Sequence, residues 1–155
     1  MKQKIAKVLI ENRKASFEYF IEERYEAGIV LLGSEVKSIR RGMANMANNH
    51  VVIRADGAWL SNFHVSPYKN AVIDKQHDQL RYKKLLLHKH QIAKIYGKIK
   101  EKGLTCVATK VYCATNNKIK VEIAIVRGKQ MHDKREAIKA RDLKRDVRKF
   151  NYDEE

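Results

Sequence analysis

Alternation of apolar and charged residues over residues 118–126 limits the fold of this chain more than any other feature. Apolar side chains take every second position of this run, at Ile119, Val121, Ile123 and Ile125. A period of two is typical of a β-strand with one buried face. Residues 104–114 alternate in the same way, and Asn116-Asn117 stands between the two runs. The pattern predicts an antiparallel hairpin near the C-terminal end of the body.

Other short runs extend this sheet. We predict strands at residues 5–10, 17–23, 29–32, 50–54 and 58–65, with turns at residues 26–28 and at Asp56-Gly57. An Asp-Gly pair between two β-rich runs is a strong hairpin signal. Helices are expected at residues 34–41, ending at Gly42, and at residues 84–102, ending at Gly103. Residues 69–82 lack a clear period and are read as a long loop.

The predicted fold class is therefore mainly β with helices. Short antiparallel strands on a basic chain suggest a small β-barrel of the oligonucleotide-binding type, with flanking helices and a C-terminal basic tail. Residues 1–128 would form an RNA-binding body and residues 129–155 a flexible tail. Trp59 in a strand fits core packing, the commoner role, or stacking on a base.

Charge indicates the kind of partner. The formal net charge is +15, and residues 1–128 alone hold 24 Lys and Arg against 11 acidic residues. Such an excess favours a polyanion such as RNA over a neutral partner. No run approaches the ~20 apolar residues of a membrane span. A disulfide between Cys106 and Cys113 is not expected, because a strand would point the two side chains to opposite faces; both are expected as buried thiols. We also expect a cytoplasmic monomer without cofactor or metal.

Residues 128–150 form a basic, amphipathic segment. It carries nine Lys and Arg against four acidic residues, and Ala140, Leu143, Val147 and Phe150 share one side of a helix. A helix this short is marginal in water unless its apolar side is covered. One interpretation is a tail that is mobile when free and becomes helical when it docks on RNA. The other is a terminal helix packed on its own domain.

Catalytic motifs are not found in this sequence. It has no GxSxG, Walker, HExxH or dinucleotide-binding pattern. His132 beside Asp133 suggests acid–base chemistry, but adjacent side chains point apart. We therefore interpret the chain as a non-enzyme, with an RNA-processing enzyme and a ribosomal or generic RNA-binding protein kept as alternatives.

Several motifs, in order, resemble the small protein B family, the SsrA-binding proteins of bacterial trans-translation. They are FEYFIEE, GSEVKSIRRG, SPY, RYKKLLLHK, KVEIAIVRGK and MHDKR. The resemblance implies a body that binds the transfer-RNA-like part of transfer-messenger RNA. It also implies a tail that enters the empty messenger channel and the decoding centre of a stalled ribosome, against its 16S RNA.

The resemblance also implies which residues act. The residues implied in contact with transfer-messenger RNA are Asn12, Arg13, Glu35, Lys37, Ile92 and Lys120. Those implied for the tail on the ribosome are Gly128, Lys129, His132, Asp133, Lys134 and Arg135. Apart from the resemblance, Glu35 also suits the first turn of a helix, where a carboxylate complements the helix dipole.

Overall fold

The structure is a computed structural model that describes residues 5–69, 77–101, 103–129 and 131–153, with the side chains of the last segment described at residues 135–146. The strands are β1 (Ile5–Glu11), β2 (Tyr19–Ile29), β3 (Ala44–Asn45), β4 (His50–Arg54), β5 (Gly57–Ser61), β6 (His64–Val65), β7 (Lys83–Leu86), β8 (Leu104–Ala114) and β9 (Ile119–Gly128). The helices are α1 (Arg13–Glu18), α2 (Gly33–Arg40), α3 (Lys89–Ile99) and α4 (Met131–Asp153).

Seven strands make one antiparallel sheet in the order β1-β8-β9-β2-β7-β5-β4, and β3 pairs with β6 beside it. The hairpins predicted around Asn116-Asn117 and Asp56-Gly57 are both confirmed. Mainly antiparallel sheet with helices is thus the fold, but closure into a barrel was wrong. No ladder among the described residues joins the edge strands β1 and β4, so the sheet stays open.

Both faces of the central strands are buried, which the alternating pattern did not predict. The larger core includes Val121, Ile123 and Ile125, and it also receives Ile39 of α2 and Ile95 of α3. A smaller cluster on the other face contains Ala15, Val107, Ala124 and Val126. Helix α1 supplies Ala15 to this second cluster, so it covers the sheet where a solvent-facing side was expected.

Helix α1 replaces the polar connection and the start of the strand predicted at residues 12–18. Asn12 caps the helix, because its Oδ1 accepts a hydrogen bond from the Ala15 N–H at 3.2 Å. A side-chain cap of this kind starts a helix where the next residues permit it. The strand β2 begins only at Tyr19.

The turn predicted at residues 26–28 does not exist. Strand β2 continues through it, with Gly28 paired to Lys120 on one side and to Leu86 on the other. A Cβ on Gly28 would lie 3.1 Å from the Leu86 Cβ, so the glycine allows a close approach of two strands.

The helix predicted over residues 84–102 starts later, because Lys83–Leu86 forms β7 between β2 and β5. The Gln91 Oε1 accepts a hydrogen bond from the His88 N–H at 3.1 Å, which supports the start of α3 at Lys89. The predicted end at Gly103 was wrong, because α3 ends at Ile99 with Lys100 as its C-cap. The predicted end of α2 at Gly42 is confirmed, since Gly42 follows the C-cap Arg41 and has a φ of 72°. Residues 70–76 of the predicted loop lie outside the described residues.

Candidate nucleic-acid interface

Helix α2 and the β8–β9 turn lie together and present cations. Arg40 donates two hydrogen bonds to Asn117, from its Nη1 to the side-chain Oδ1 at 3.1 Å and from its Nη2 to the backbone oxygen at 3.0 Å. Arg40 also lines a groove of about 350 Å³ together with Lys118 and Lys120. We call this the α2–β9 groove. Its floor is formed by Gly28, Ile29, Leu31, Val36, Leu86 and Ile119.

Two further cations of α2 gather around Tyr68. The Lys37 Nζ lies 5.3 Å from the centre of the Tyr68 ring, and the Arg41 guanidinium lies 4.9 Å from it. The Arg41 Nη2 also donates a hydrogen bond to the Tyr68 hydroxyl at 3.3 Å. The aromatic ring therefore holds two cations on the outer side of α2, where phosphates could reach them.

Glu35 belongs to α2, but its side chain points into the interior and not to the surface of the protein. Its side chain is fully buried. Its Oε1 accepts hydrogen bonds from the Leu32 N–H at 2.8 Å and from the Arg81 Nη2 at 2.6 Å, and its Oε2 lies 3.5 Å from the Lys83 Nζ. The carboxylate is not accessible to RNA in this structure, and the direct contact implied for Glu35 stays a prediction. The position fits the first-turn role suggested by sequence, with two cations added.

Lys83 is a buried cation on the inward side of β7. Its Nζ donates to the backbone oxygens of Phe63 at 3.0 Å and Arg81 at 2.9 Å. Burial lowers the pKa of Lys83, and the negative charge of Glu35 offsets part of that effect. The pairing of Arg81 and Lys83 with Glu35 was not predicted from the sequence. The signal for Lys83 is its spacing of two from buried Leu85 in β7, but most of that strand was predicted as a helix.

The pKa of the Glu35 carboxyl lies below its ordinary value of 4.5. Burial by itself raises it, but the hydrogen bonds from Arg81 and Leu32 and the charge of Lys83 outweigh burial. The pKa of Glu122 is also lowered: burial raises it, but the hydrogen bonds from Thr109 and Arg24 and the nearby cation of Lys110 together outweigh burial. The folded protein therefore favours the ionised form of both Glu35 and Glu122.

These shifts predict a loss of stability in acid. A folded-state pKa below the unfolded value means that the unfolded chain binds more protons, so stability falls as the pH falls. We expect the free energy of unfolding to stay constant while the pH is above the ordinary glutamate pKa of 4.5. It should fall as the pH drops through the lower pKa values of the folded protein. Urea unfolding between about pH 6 and about pH 3 measures this. Glu122→Gln should reduce the slope, and a stability that rises in acid would contradict the expectation.

The other residues implied in RNA contact fall at different places. Ile92 lines a second groove of about 580 Å³ between β7 and α3, which we call the β7–α3 groove. Leu86 lines both grooves, so they are neighbours. Arg13 is exposed at the start of α1. Asn12 is buried, donates from its Nδ2 to the Ala108 oxygen at 3.1 Å and caps α1; its contact with RNA stays a prediction.

The implied tail residues begin where β9 ends. Gly128 pairs with Tyr19, and the Lys129 N–H donates to the Glu18 oxygen at 2.8 Å. The Lys129 Nζ donates to the Ser16 oxygen at 3.2 Å. His132, Asp133 and Lys134 lie in α4, and their side chains are outside the described part of the chain; Arg135 is exposed.

Helix α4 is formed, but the described half of its apolar stripe is not buried. Ala140 is exposed, and the Leu143 side chain is 65% exposed. One described contact with the body places the Arg141 guanidinium 5.6 Å from the centre of the Phe17 ring. The stripe at Ala140 and Leu143 therefore lacks the covering surface that would stabilise it in water. Mobility of the free tail stays a prediction.

Two classes of site are not found among the described residues. No group of three or more His, Cys, Asp or Glu side chains there is placed to hold a metal ion. Within the same ranges, no helix combines the length and the apolar character needed to cross a membrane.

Comparison with known proteins gives a consistent result. Residues 9–152 match the family described as SmpB protein. An SsrA-binding protein of Sulfurihydrogenibium is 52% identical over 143 residues, which cover 92% of this chain and 93% of that protein. An SsrA-binding protein of Thermosynechococcus vestitus is 50% identical over 141 residues, covering 91% of this chain and 92% of that one.

A solved structure is also similar. It is described as "tmRNA-SmpB: a journey to the center of the bacterial ribosome", and one of its chains superposes with a TM-score of 0.67 at 38% identity. The likeness covers 83% of this chain and 92% of that chain. A sequence identity of 38% indicates a common protein family as well as a common fold.

Proposed function

Since the chain belongs to the SmpB protein family, we propose that it is an RNA-binding adaptor of trans-translation. It binds the transfer-RNA-like domain of transfer-messenger RNA and delivers that RNA to stalled ribosomes in the cytoplasm. The observation that carries this proposal is the likeness, over 83% of the chain, to a chain in the tmRNA–SmpB structure. The chain works by binding two RNAs, not by catalysis.

The body supplies the first of the two contacts. Lys118, Lys120 and Arg40 line the α2–β9 groove, and Lys37 and Arg41 extend the same cationic surface around Tyr68. Cations in such an array neutralise RNA phosphates and release counterions, which provides most of the affinity. The apolar floor of the groove can receive a base or ribose from an unpaired loop.

The tail supplies the second contact. Residues 129–155 are proposed to enter the vacant messenger channel, with His132, Asp133, Lys134 and Arg135 at the decoding centre. Exposure of Leu143 supports this, because a helix with an uncovered apolar side gains stability when a surface covers it. Messenger RNA in the channel would exclude the tail, so only stalled ribosomes would accept the complex.

The identity of the bound RNA tests the proposal. The chain is purified from bacterial cells under native conditions, and the RNA that remains bound to it is sequenced. We expect transfer-messenger RNA to be enriched far above its share of cellular RNA. Enrichment of ribosomal RNA alone, or a broad mixture, would instead indicate a ribosomal or generic RNA-binding protein.

Replacing Lys118 and Lys120 by alanine should weaken binding to transfer-messenger RNA and reduce its salt dependence by roughly one unit of slope per lysine. Filter binding at several salt concentrations measures both quantities. The matched control is Lys94→Ala with Lys98→Ala, which removes the same charge from α3, where both lysines pair with Glu23 at 3.5 and 4.0 Å. Equal losses in the two variants would mean that net charge, not the α2–β9 groove, binds the RNA.

A further inference from the structure

The outer face of β4, β5 and β7 carries an aromatic and cationic surface that lies apart from α2. Ala58, Leu60 and Leu85 point into the core, with exposures of 0%, 0% and 2%. Neighbours along a strand point to opposite faces, so Trp59 and Lys84 point outward. These two residues are direct partners across the β5–β7 ladder.

Rings and cations alternate across this surface. The Arg54 guanidinium lies 4.6 Å from the centre of the Tyr82 ring and 6.0 Å from that of Trp59. The Lys84 Nζ lies 5.8 Å from the Trp59 ring. We call Arg54, Trp59, Tyr82 and Lys84 the stacking face. The core position expected as the commoner role for Trp59 is thus wrong, since its ring is half-buried on the outer face.

The rings of the stacking face are held in place and accessible. The Trp59 Nε1 donates a hydrogen bond to the Asp56 Oδ1 at 3.0 Å, which fixes the edge of the indole. Tyr82 is 43% exposed, although an aromatic ring of this size gains from burial. An exposed aromatic ring beside an arginine offers a flat, cationic platform.

Such a platform fits one ligand chemistry best. Bases of single-stranded nucleic acid stack on aromatic rings and on guanidinium planes, while nearby cations neutralise the phosphates. A neutral apolar partner would leave Arg54 and Lys84 without counter-charge, and the net charge of +15 disfavours a basic one. Arg54 and Lys84 also line the β7–α3 groove with Ile92, so the stacking face adjoins a residue already implied in RNA contact.

We propose that the stacking face binds unpaired nucleobases of RNA, as a second RNA contact of the body beside the α2–β9 groove. This inference rests on the proposed RNA-binding function and adds a site to it. Tyr82 and Trp59 supply the stacking surfaces, and Arg54 and Lys84 supply the charge. We expect this site to bind RNA without preference for base sequence, because every base offers a ring face for stacking.

Fluorescence of Trp59 tests the site directly, because it is the only tryptophan in the chain. The full chain is titrated with a single-stranded adenosine oligonucleotide and, separately, with inorganic polyphosphate of equal total charge. We expect the oligonucleotide to quench the Trp59 emission and polyphosphate to leave it nearly unchanged. Equal quenching by both ligands, or none by the oligonucleotide, would overturn the proposal.

A matched pair of variants separates stacking from general loss of an aromatic ring. Tyr82→Ala should weaken oligonucleotide binding about tenfold, the order expected when one base stack is lost. Phe20→Ala should leave it unchanged, although Phe20 is 47% exposed and also lies beside a cation, the Lys129 Nζ at 5.1 Å. Equal effects of the two variants would refute the site, and circular dichroism verifies that both variants are folded.

Two further arms identify the RNA and separate this inference from the proposed function. If Tyr82→Ala lowers affinity for transfer-messenger RNA, that RNA supplies the stacked base; if it lowers only binding to small ribosomal subunits, ribosomal RNA does. Unchanged binding of both RNAs would overturn the inference while the adaptor function stands. A wild-type chain that does not bind transfer-messenger RNA would instead refute the proposed function itself.

Discussion

Glu35→Gln is expected to lower the free energy of unfolding by about 3–5 kcal/mol, because it leaves buried Lys83 without its counter-charge. Glutamine keeps the size of the side chain and an acceptor for the Leu32 N–H. The loss therefore reports the charge itself, which the structure places 3.5 Å from the Lys83 Nζ and 2.6 Å from the Arg81 Nη2. Urea unfolding monitored by circular dichroism measures it.

The control is Glu22→Gln, whose carboxylate pairs with Arg127 at 3.1 Å on the surface. An exposed pair of this kind should contribute less than about 1 kcal/mol. The double variant Glu35→Gln with Lys83→Met should recover part of the loss, since it removes the fully buried cation, while the remaining cation Arg81 has a side chain that is 29% exposed. A loss equal to that of the control would mean that the buried ion cluster does not stabilise the fold.

The same variants decide how Glu35 affects RNA binding. A buried carboxylate can act only by positioning α2 and its cations Lys37 and Arg40. We therefore expect Glu35→Gln to weaken binding of transfer-messenger RNA and the double variant to restore affinity together with stability. Restored stability without restored affinity would show that the carboxylate contacts RNA directly after a rearrangement.

Asp133→Ala, Lys134→Ala and Arg135→Ala combined should reduce peptide tagging on stalled ribosomes to near background. Affinity for transfer-messenger RNA should stay within about twofold of the original, because distant sites contribute independently. The physical reason is the division of labour proposed above, in which the body holds one RNA and the tail binds another. A reconstituted translation reaction on a truncated messenger measures tagging, and filter binding measures affinity.

Helix α4 offers a matched control further along the chain. Asp142→Ala with Lys144→Ala and Arg145→Ala removes the same one acidic and two basic side chains, all exposed in the structure. We expect a clearly smaller loss of tagging from this variant. Equal losses would mean that total charge or helix content matters instead of residues 133–135. A large loss of RNA affinity in the first variant would contradict the two-part arrangement.

Local signals in the sequence were enough for much of the sheet. The β8–β9 hairpin follows from a period of two around Asn116-Asn117, and the β4–β5 hairpin from Asp56-Gly57. Helix α2 and its end at Gly42 follow from a short amphipathic run and a residue that tolerates positive φ. Each of these depends on contacts between near neighbours, which a pattern can record.

Elements that depend on distant partners were misread. Residues 17–18 alternate like a strand, yet they end α1, because Asn12 caps that helix and Ala15 packs on the second face of β8 and β9. Residues 84–86 were predicted as the start of a helix, yet Lys83–Leu86 forms the strand β7 between β2 and β5. Tertiary burial outweighed local propensity in both cases.

By itself, the sequence determined the β4–β5 and β8–β9 hairpins, the basic character of the chain and, through its motifs, the family. Only the tertiary structure decided that Glu35 is buried, that the sheet stays open between β1 and β4, and that Trp59 faces outward beside Arg54. The physical reason is one of range. Periodicity and turn chemistry act over a few residues, whereas the burial of a charge depends on partners such as Arg81, which lies 46 positions away along the chain.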